Sequence, residues 1–355
     1  MITAEILDLA YDWLCHQRRE AHHNHDVWHL RWNWDQLRPQ ILAQLREGTY
    51  RLSPTRMVSI DGEAFEVWCS RDSLVLKAVA IVLSRQCHGL LSKRCFHLRG
   101  RGGSKAAVRE VLDKIHPVST SPESSSDQTA ARYVFKSDVK RYYASMDHEI
   151  LIDQCRELIE DETILDLVEQ YIRRCVSDGG IYHEVSQGIP LGCSLSPLMG
   201  AIYLKPLDEA MEKTGLFYAR YMDDWIVFAP TRWKLRKVIR ITNRVLNQLK
   251  VWQHPDKTFI GRAEKGFDFL GYHIQSRNHS RPARLTVAKK TKQQYVSRVT
   301  RLYEQGSISE VIEGYVRRWR CWARSGLKQW ATLLTLDDVV DDCLRNLEHL
   351  ASPLR

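Results

Sequence analysis

Tyr218-Ala-Arg-Tyr221-Met222-Asp223-Asp224-Trp-Ile-Val-Phe-Ala229 sets two adjacent acids between two strand-forming runs. Removing neighbouring carboxylates from water without compensation is unfavourable, so apolar flanks on both sides argue against a merely solvated acidic turn. Successive strand residues point to opposite faces, and only a hairpin bend would bring both acids to one site. A divalent cation would resolve the electrostatic conflict.

Two upstream segments are read with it. Phe135-Lys-Ser-Asp138-Val-Lys140-Arg-Tyr-Tyr143 puts a carboxylate at the end of an expected strand, with an aromatic ring five positions later. Gln187-Gly-Ile-Pro-Leu-Gly192-Cys-Ser-Leu-Ser196-Pro197 is a loop whose glycines permit close backbone approach before a small-residue helix. If Asp138 lies on an adjacent strand, three carboxylates converge. Mg²⁺ favours a few carboxylates completed by water and phosphate oxygens, which suits two ions bridging a nucleoside triphosphate and a primer hydroxyl.

Asp138-x-Lys140-x-x-Tyr143, QGxPxGxxxSP and Tyr221-Met-Asp-Asp224, in this order, resemble the motifs of reverse transcriptases, particularly the bacterial group II intron and retron-like branch. The resemblance runs from about Tyr50 to Trp330. It implies an α+β right-hand polymerase fold, with fingers, a palm of antiparallel sheet and helices, and a helical thumb. The implied division is a helical extension over 1–48, fingers over 49–130, a palm over 131–275, and thumb and tail over 276–355. RNA-directed DNA polymerase chemistry follows, with dNTPs added to a primer hydroxyl using two Mg²⁺ ions, for which Mn²⁺ can substitute.

The resemblance also assigns roles. Asp138 and Asp223 match the principal metal ligands, with Asp224 supporting them and Val139 beside them on the metal and nucleotide side. Tyr143 matches the steric gate that crowds a ribose 2′-OH, and Gln187 and Gly188 match the nucleotide and template pocket. Lys257 resembles the lysine assisting the departing pyrophosphate, although a plain surface lysine is the competing reading. Gly266-Phe-Asp-Phe-Leu-Gly271-Tyr-His resembles the primer-grip hairpin, and its alternation independently fits strand, turn, strand. Tyr221, Met222 and Gly271 are therefore expected at nucleic acid, as are Lys289, Lys290, Arg317 and Arg318. Trp319 and Trp322 read either as thumb core or as part of a duplex clamp.

Upstream, Tyr50, Pro54, Arg56 and Asp72 match the intron-type fingers. Glu63-Ala-Phe-Glu66 stands where that branch carries a basic turn, and Ser73 replaces an expected arginine, so Arg71 and Lys77 are the candidates for the triphosphate. Arg99-Gly-Arg101-Gly-Gly-Ser104 precedes a helix expected from about Lys105 to Ile115, and it is either a phosphate-holding turn or a plain one.

The 355-residue composition fits a folded chain with room for two or three subdomains: 44% hydrophobic, 27% charged, and 52 Lys+Arg against 43 Asp+Glu. The basic surplus is concentrated. Arg232 to Lys265 holds ten Lys/Arg against two acids, and Arg277 to Arg301 holds eight against none. These runs read as a nucleic-acid footprint or as solvated helix faces. Nine scattered cysteines without a CxxC pair support neither a disulfide framework nor a zinc ribbon, and a reducing cytoplasm is the expected compartment. No apolar run is long enough to span a bilayer.

Helices are expected over Ile2–Glu20 and Val27–Leu45, with His22, His25 and His29 on one helix face, and a buried helix over Leu74–Leu83. β-like pieces are expected around Asp61-Gly62, and Pro117–Ala130 reads as a mobile surface loop. The expected partners are an RNA template, such as a cognate non-coding RNA, a DNA primer or product, and dNTPs, with a partner protein or homo-oligomer admitted. The sequence runs only about 25 residues past Trp330, which disfavours an intron-encoded protein with appended modules. Retron motifs outside the core are not found, and Ser196-Pro197 departs from the Ser-Gln of diversity-generating elements. Stand-alone bacterial enzymes, many associated with antiphage defence, fit better. A catalytically silent RNA-binding or maturase-like scaffold, or a template-independent or protein-primed DNA polymerase, are the alternatives.

Overall fold

A computed structural model of the chain describes residues 1–60, 63–115, 131–276, 284–327 and 334–335, so Asp61-Gly62 and the 117–130 segment lie outside the described residues. The strands are β1 Thr55–Ile60, β2 Glu63–Val67, β3 Tyr133–Ser137, β4 Cys175–Asp178, β5 Ile181–Glu184, β6 Phe217–Tyr221, β7 Asp224–Ala229, β8 Phe259–Arg262, β9 Phe267–Phe269, β10 Tyr272–Gln275, β11 Arg284–Val287 and β12 Leu334–Thr335. The helices are α1 Ala4–Gln17, α2 Asp26–Trp32, α3 Trp34–Arg46, α4 Ser70–Gln86, α5 Gly103–Ile115, α6 Tyr142–Ser145, α7 His148–Leu158, α8 Glu162–Ile172, α9 Ser196–Tyr203, α10 Lys205–Glu212, α11 Arg232–Gln248, α12 Lys289–Glu304 and α13 Ser309–Arg324. None of the described helices is long and apolar enough to cross a membrane.

Two compact units are assembled from interleaved segments. One comprises Met1–Arg99, Val139–Lys213 and Ile241–His254; the other comprises Gly100–Asp138, Thr214–Arg240 and Pro255–Arg355.

In the first unit, α1 packs along α4, burying Leu7, Ala10 and Leu14 against an α4 whose Leu74, Val75, Leu76, Ala78 and Val79 are fully enclosed. The expected Val27–Leu45 helix is two helices. Asn33 breaks it: its side-chain amide and backbone N–H both donate to His29 O, so the first helix is capped by the residue that ends it. The His22–His25 segment precedes that helix rather than lying on it. His25 is the N-cap, its Nδ1 accepting from Val27 N at 3.2 Å, so His22, His25 and His29 do not form one helix face. Where Ser73 stands for an arginine, a guanidinium arrives from the end of α1: Arg18 donates to Ser73 Oγ at 3.0 Å and to Ser70 Oγ at 2.5 Å.

The second unit holds the sheet β6-β7-β3-β8, antiparallel throughout, and a second sheet β12-β11-β10-β9. The expected primer-grip hairpin is β9 and β10, joined through Leu270 (φ 47°) and Gly271 (φ 89°), the positive-φ pair of a type I′ turn. After it come the expected helices, α12 and α13. Trp319 is 9% exposed and packs on Tyr295, so it belongs to the core. Trp322 is 37% exposed and stacks on Tyr272, with the Lys105 ammonium over both rings.

Glu66, within the acidic stretch that departs from a basic turn, has a structural partner. Its carboxylate forms a two-pronged ion pair with Arg174, which is 5% exposed, and Arg174 Nη1 also donates to Gly188 O at 2.9 Å. Bidentate geometry and a further acceptor are what a buried guanidinium needs to be tolerated. Glu66→Ala leaves that charge uncompensated and is expected to lower unfolding stability by about 3 kcal/mol, read from urea denaturation, with Glu66→Gln losing less.

Candidate active site

The catalytic candidates of the second unit are lined up by strand register. The pairing of β3 with β7 ends at Ser137 opposite Trp225, so one more step sets Asp138 opposite Asp224. The pairing of β3 with β8 ends at Lys136 opposite Phe259. Continuing it sets Ser137 by Thr258, whose hydroxyls lie 2.7 Å apart, and Asp138 by Lys257, whose Nζ is 2.7 Å from Asp138 Oδ2. Asp224, Asp138 and Lys257 thus form the next rung across three strands.

Asp223 sits beside that rung because Tyr221 pairs with Asp224, closing a two-residue turn through Met222 and Asp223. Met222 takes φ 57° and Asp223 does not, the sign pattern of a type II′ hairpin, where glycine is the usual first residue. A side chain there stores backbone strain on the order of 1 kcal/mol. Arg220, fully buried, donates Nη1 to Met222 O at 2.8 Å and holds the turn in that shape.

These acids press on one another electrostatically. Burial, followed by the charge of Asp138, pushes the Asp223 carboxyl up to about 6, although Lys257 acts to lower it. Burial pushes Asp224 up to about 7 against the pull of Lys136, with Asp138 and Asp223 adding to the rise. For Lys257, partial burial acts downward, but the hydrogen bond to Asp138 and the surrounding carboxylates outweigh it and raise its pKa, so it carries a proton at neutral pH. Lys136, 9% exposed, brings its ammonium 3.4 Å from Asp224 Oδ1 as an ion pair without hydrogen-bond geometry.

Two buried carboxylate oxygens, Asp138 Oδ1 and Asp224 Oδ1, have no hydrogen-bond partner among the described residues. Buried carboxylate oxygens without a hydrogen-bond partner, on adjacent positions of one rung, are chemically suited to a divalent cation. Among the described residues no three His, Cys, Asp or Glu side chains stand close enough together to hold a metal ion, so Asp138, Asp223 and Asp224 are not arranged as a ready ligand set, and Lys257 occupies the second oxygen of Asp138. A cavity of about 520 Å³ opens beside Asp224, Lys136 and Lys257 and runs along the Gly266–Gly271 hairpin to Lys290.

In the first unit, Tyr143 and the Gln187-Gly188 loop are tied together. Ile189 N donates to Tyr143 O at 2.8 Å, Gly188 N to Met146 O at 2.8 Å, and Gln187 Nε2 to Ser145 O at 3.2 Å. Gly188 has φ 82°, and a Cβ there would lie 2.8 Å from Ala144 Cα, so only glycine fits. Gly200, inside α9, leaves the space that the Tyr142 and Tyr143 rings occupy. Val139 is buried and its backbone bridges to Gln253.

The remaining candidates are distributed as follows. Arg71 donates to Gln44 Oε1 at 2.6 Å and lies over the Tyr50 ring, while Lys77 lies over Trp13, so both are engaged within their own unit. Arg99 is exposed and Arg101 half-buried at the turn, which passes into α5 at Gly103. Lys289, Lys290, Arg317 and Arg318 are exposed on α12 and α13, and Tyr221 and Met222 are half-buried. Lys136, Arg220, Gly200 and the Glu66–Arg174 pair were not identifiable as site residues from sequence alone. For Gly200 there was a signal, a lone glycine in an otherwise apolar helix.

The raised carboxylates have a stability consequence with a defined sign. Native Asp223 and Asp224 keep their protons to higher pH than in the unfolded chain, so their contribution is fully present below about pH 4 and is lost as pH rises through about 6 to 7. In chelator, Asp223→Asn is therefore expected to be more stable than wild type by about 1–2 kcal/mol at pH 7.5, with the gap closing near pH 4. Thermal melts across pH check this. An Asp223→Asn protein that melts lower than wild type at pH 7.5 contradicts the repulsion described here.

The family model for "Reverse transcriptase (RNA-dependent DNA polymerase)" matches residues 95–274, just over half of the chain. Protein YkfC of Escherichia coli K12 is 24% identical over 276 residues, covering 66% of this chain and 70% of that protein. The group II intron-encoded protein LtrA of Lactococcus lactis is 23% identical over 227 residues, 62% of this chain and 35% of LtrA. The putative COX1/OXI3 intron 1 protein of Saccharomyces cerevisiae is 21% identical over 179 residues, 49% of this chain and 20% of its own length. The chain thus spans well under half of these two intron proteins. With its α+β, right-hand polymerase class of fold, the chain belongs to the reverse transcriptase family, the RNA-directed DNA polymerases.

Proposed function

We propose that this protein carries out Mg²⁺-dependent nucleotidyl transfer from dNTPs to a primer hydroxyl, copying an RNA template into DNA. The observation that carries the reading is the rung of Asp224, Asp138 and Lys257, with two buried carboxylate oxygens that have no hydrogen-bond partner among the described residues and a cavity beside Asp224 and Lys257. When bound, divalent ions would supply positive charge to the triphosphate and favour ionisation of the attacking hydroxyl. Asp138 and Asp223 would hold them, with Asp224 and Val139 alongside; Mn²⁺ would serve in place of Mg²⁺.

The chain's own groups supply the rest. Lys257, protonated and next to Asp138, is suited to balance charge on, or give a proton to, the departing pyrophosphate. Lys136 offsets part of the charge of Asp224. Tyr143, fixed through its carbonyl to the Gln187-Gly188 loop, is proposed to exclude a ribose 2′-OH, with Gln187 and Gly188 lining the nucleotide and template pocket. Arg99, Arg101, Tyr221, Met222, Gly271, Lys289, Lys290, Arg317 and Arg318 are proposed to contact nucleic acid, and Arg71 and Lys77 the triphosphate. We extend the proposal, on resemblance alone, to antiphage defence using a cognate RNA.

Primer extension on an RNA template with labelled dNTPs tests the chemistry. Asp223→Asn is expected to abolish incorporation while the protein stays folded, and Lys257→Met to lower kcat about 100-fold, with Lys257→Arg partly active. Incorporation by Asp223→Asn at the wild-type rate would instead favour a catalytically silent RNA-binding scaffold. Tyr143→Val is expected to admit ribonucleotides, narrowing the dNTP over rNTP preference at least tenfold. An unchanged preference would remove the gate assignment.

A further inference from the structure

Lys257 apart, part of the basic surplus of Arg232 to Lys265 gathers away from the catalytic rung. A groove of about 330 Å³ lies between the first half of α11 and strand β8, with Arg232, Arg236, Arg262 and Lys265 around a floor of Leu235 and Ile260. Alternation separates it from the catalytic candidates. Arg262 and Ile260 pair with Tyr133 and Phe135, which lie on the sheet face opposite to Lys136 and Asp138. Along β3, Tyr133 precedes Asp138 by five residues, about 17 Å of strand. The groove is on the reverse face, at the other end.

Its chemistry points to a polyanion that also has flat apolar groups. Arg232, Arg236 and Arg240 recur every fourth residue and so share one stripe of α11, rising about 6 Å per step. That is in the range of successive phosphates on an extended strand. Between Arg232 and Gln248 the helix has six Lys/Arg and no acid, and none of the groove-lining residues is acidic; one rim acid, Glu264, pairs with Arg262 at 3.0 Å. Trp233 is 75% exposed, with the Arg236 guanidinium 5.6 Å from its ring centre, and Ile260 is 52% exposed. A line of arginines beside an uncovered indole is the pairing that binds a single strand, through backbone phosphates and base stacking. An acidic polypeptide would use the charges but leave the indole in water.

We infer that this groove binds single-stranded RNA at a site separate from the one where the primer is extended. The inference rests on the RNA-directed reading above for the choice of RNA over DNA. It assigns the reverse face of the catalytic sheet to holding an RNA segment that is not being copied.

The test uses the full chain with its extension site saturated by an unlabelled self-priming hairpin. Binding of a short, unstructured, fluorescein-labelled RNA is then followed by anisotropy across a salt series. Arg232→Gln/Arg236→Gln/Arg240→Gln is expected to weaken this binding about tenfold and to flatten the slope of log affinity against log salt by about 2. Trp233→Ala is expected to weaken it about fivefold or more. Extension of the hairpin should stay within about twofold of wild type in both. Unchanged affinity and slope in the triple variant would overturn the inference, as would a tenfold preference for DNA of the same sequence. Binding of polyglutamate to the wild type but not the triple variant, with no competition from RNA, would assign the groove to an acidic protein and overturn it too. If wild-type enzyme extends nothing, the polymerase reading fails, while the anisotropy series still decides the groove.

Discussion

Three strands of one sheet deliver Asp224, Asp138 and Lys257 to a common rung, and the repulsion of its carboxylates is the constraint around which the second unit is built. Apolar strands keep water away, so charge is offset by placed groups: Lys136 beneath Asp224, Lys257 on Asp138, and buried Arg220 holding the turn that presents Asp223. Each cation comes from the sheet itself or the strand end adjoining it. A small rearrangement of loops would not remove them. Among the described residues Asp138 Oδ1 and Asp224 Oδ1 still lack a hydrogen-bond partner, and this leaves room for a ligand that brings positive charge with it.

The first unit works by fit rather than charge. Gly188 lies against the Ala144 backbone with no space for a side chain, its carbonyl accepts from Arg174, and Arg174 is held by Glu66. The carbonyl of Tyr143 is bonded into the same loop, and Gly200 makes space for its ring. The backbone that carries the Tyr143 ring is therefore tied to a loop anchored to strand β2 through Arg174 and Glu66.

Much of this was legible in the sequence, for identifiable reasons. Strand-forming runs on both sides of Met222-Asp223 pointed to a hairpin, and the strand-like run from Tyr133 pointed to a strand ending at Asp138. What alternation cannot give is register between strands far apart in the chain. Lys257 follows Asp138 by 119 residues, so its place on the rung is a property of pairing rather than of local pattern. Lys136 was hidden because an alternating lysine in a strand reads as solvent-facing, whereas here it is buried by the acid it serves. Glu66 read as a missing basic contact because its partner lies 108 positions away. The break at Asn33 escaped because one inserted cap hardly disturbs a helical repeat of apolar residues.

The ammonium on Asp138 also shapes how the free protein meets cations. Any ion that takes Asp138 Oδ2 must first displace a group held at 2.7 Å, so its observed affinity includes the work of breaking that pair. A cation that took only the unpartnered Oδ1 would leave the pair intact, so the two oxygens of one carboxylate set different terms for an incoming charge.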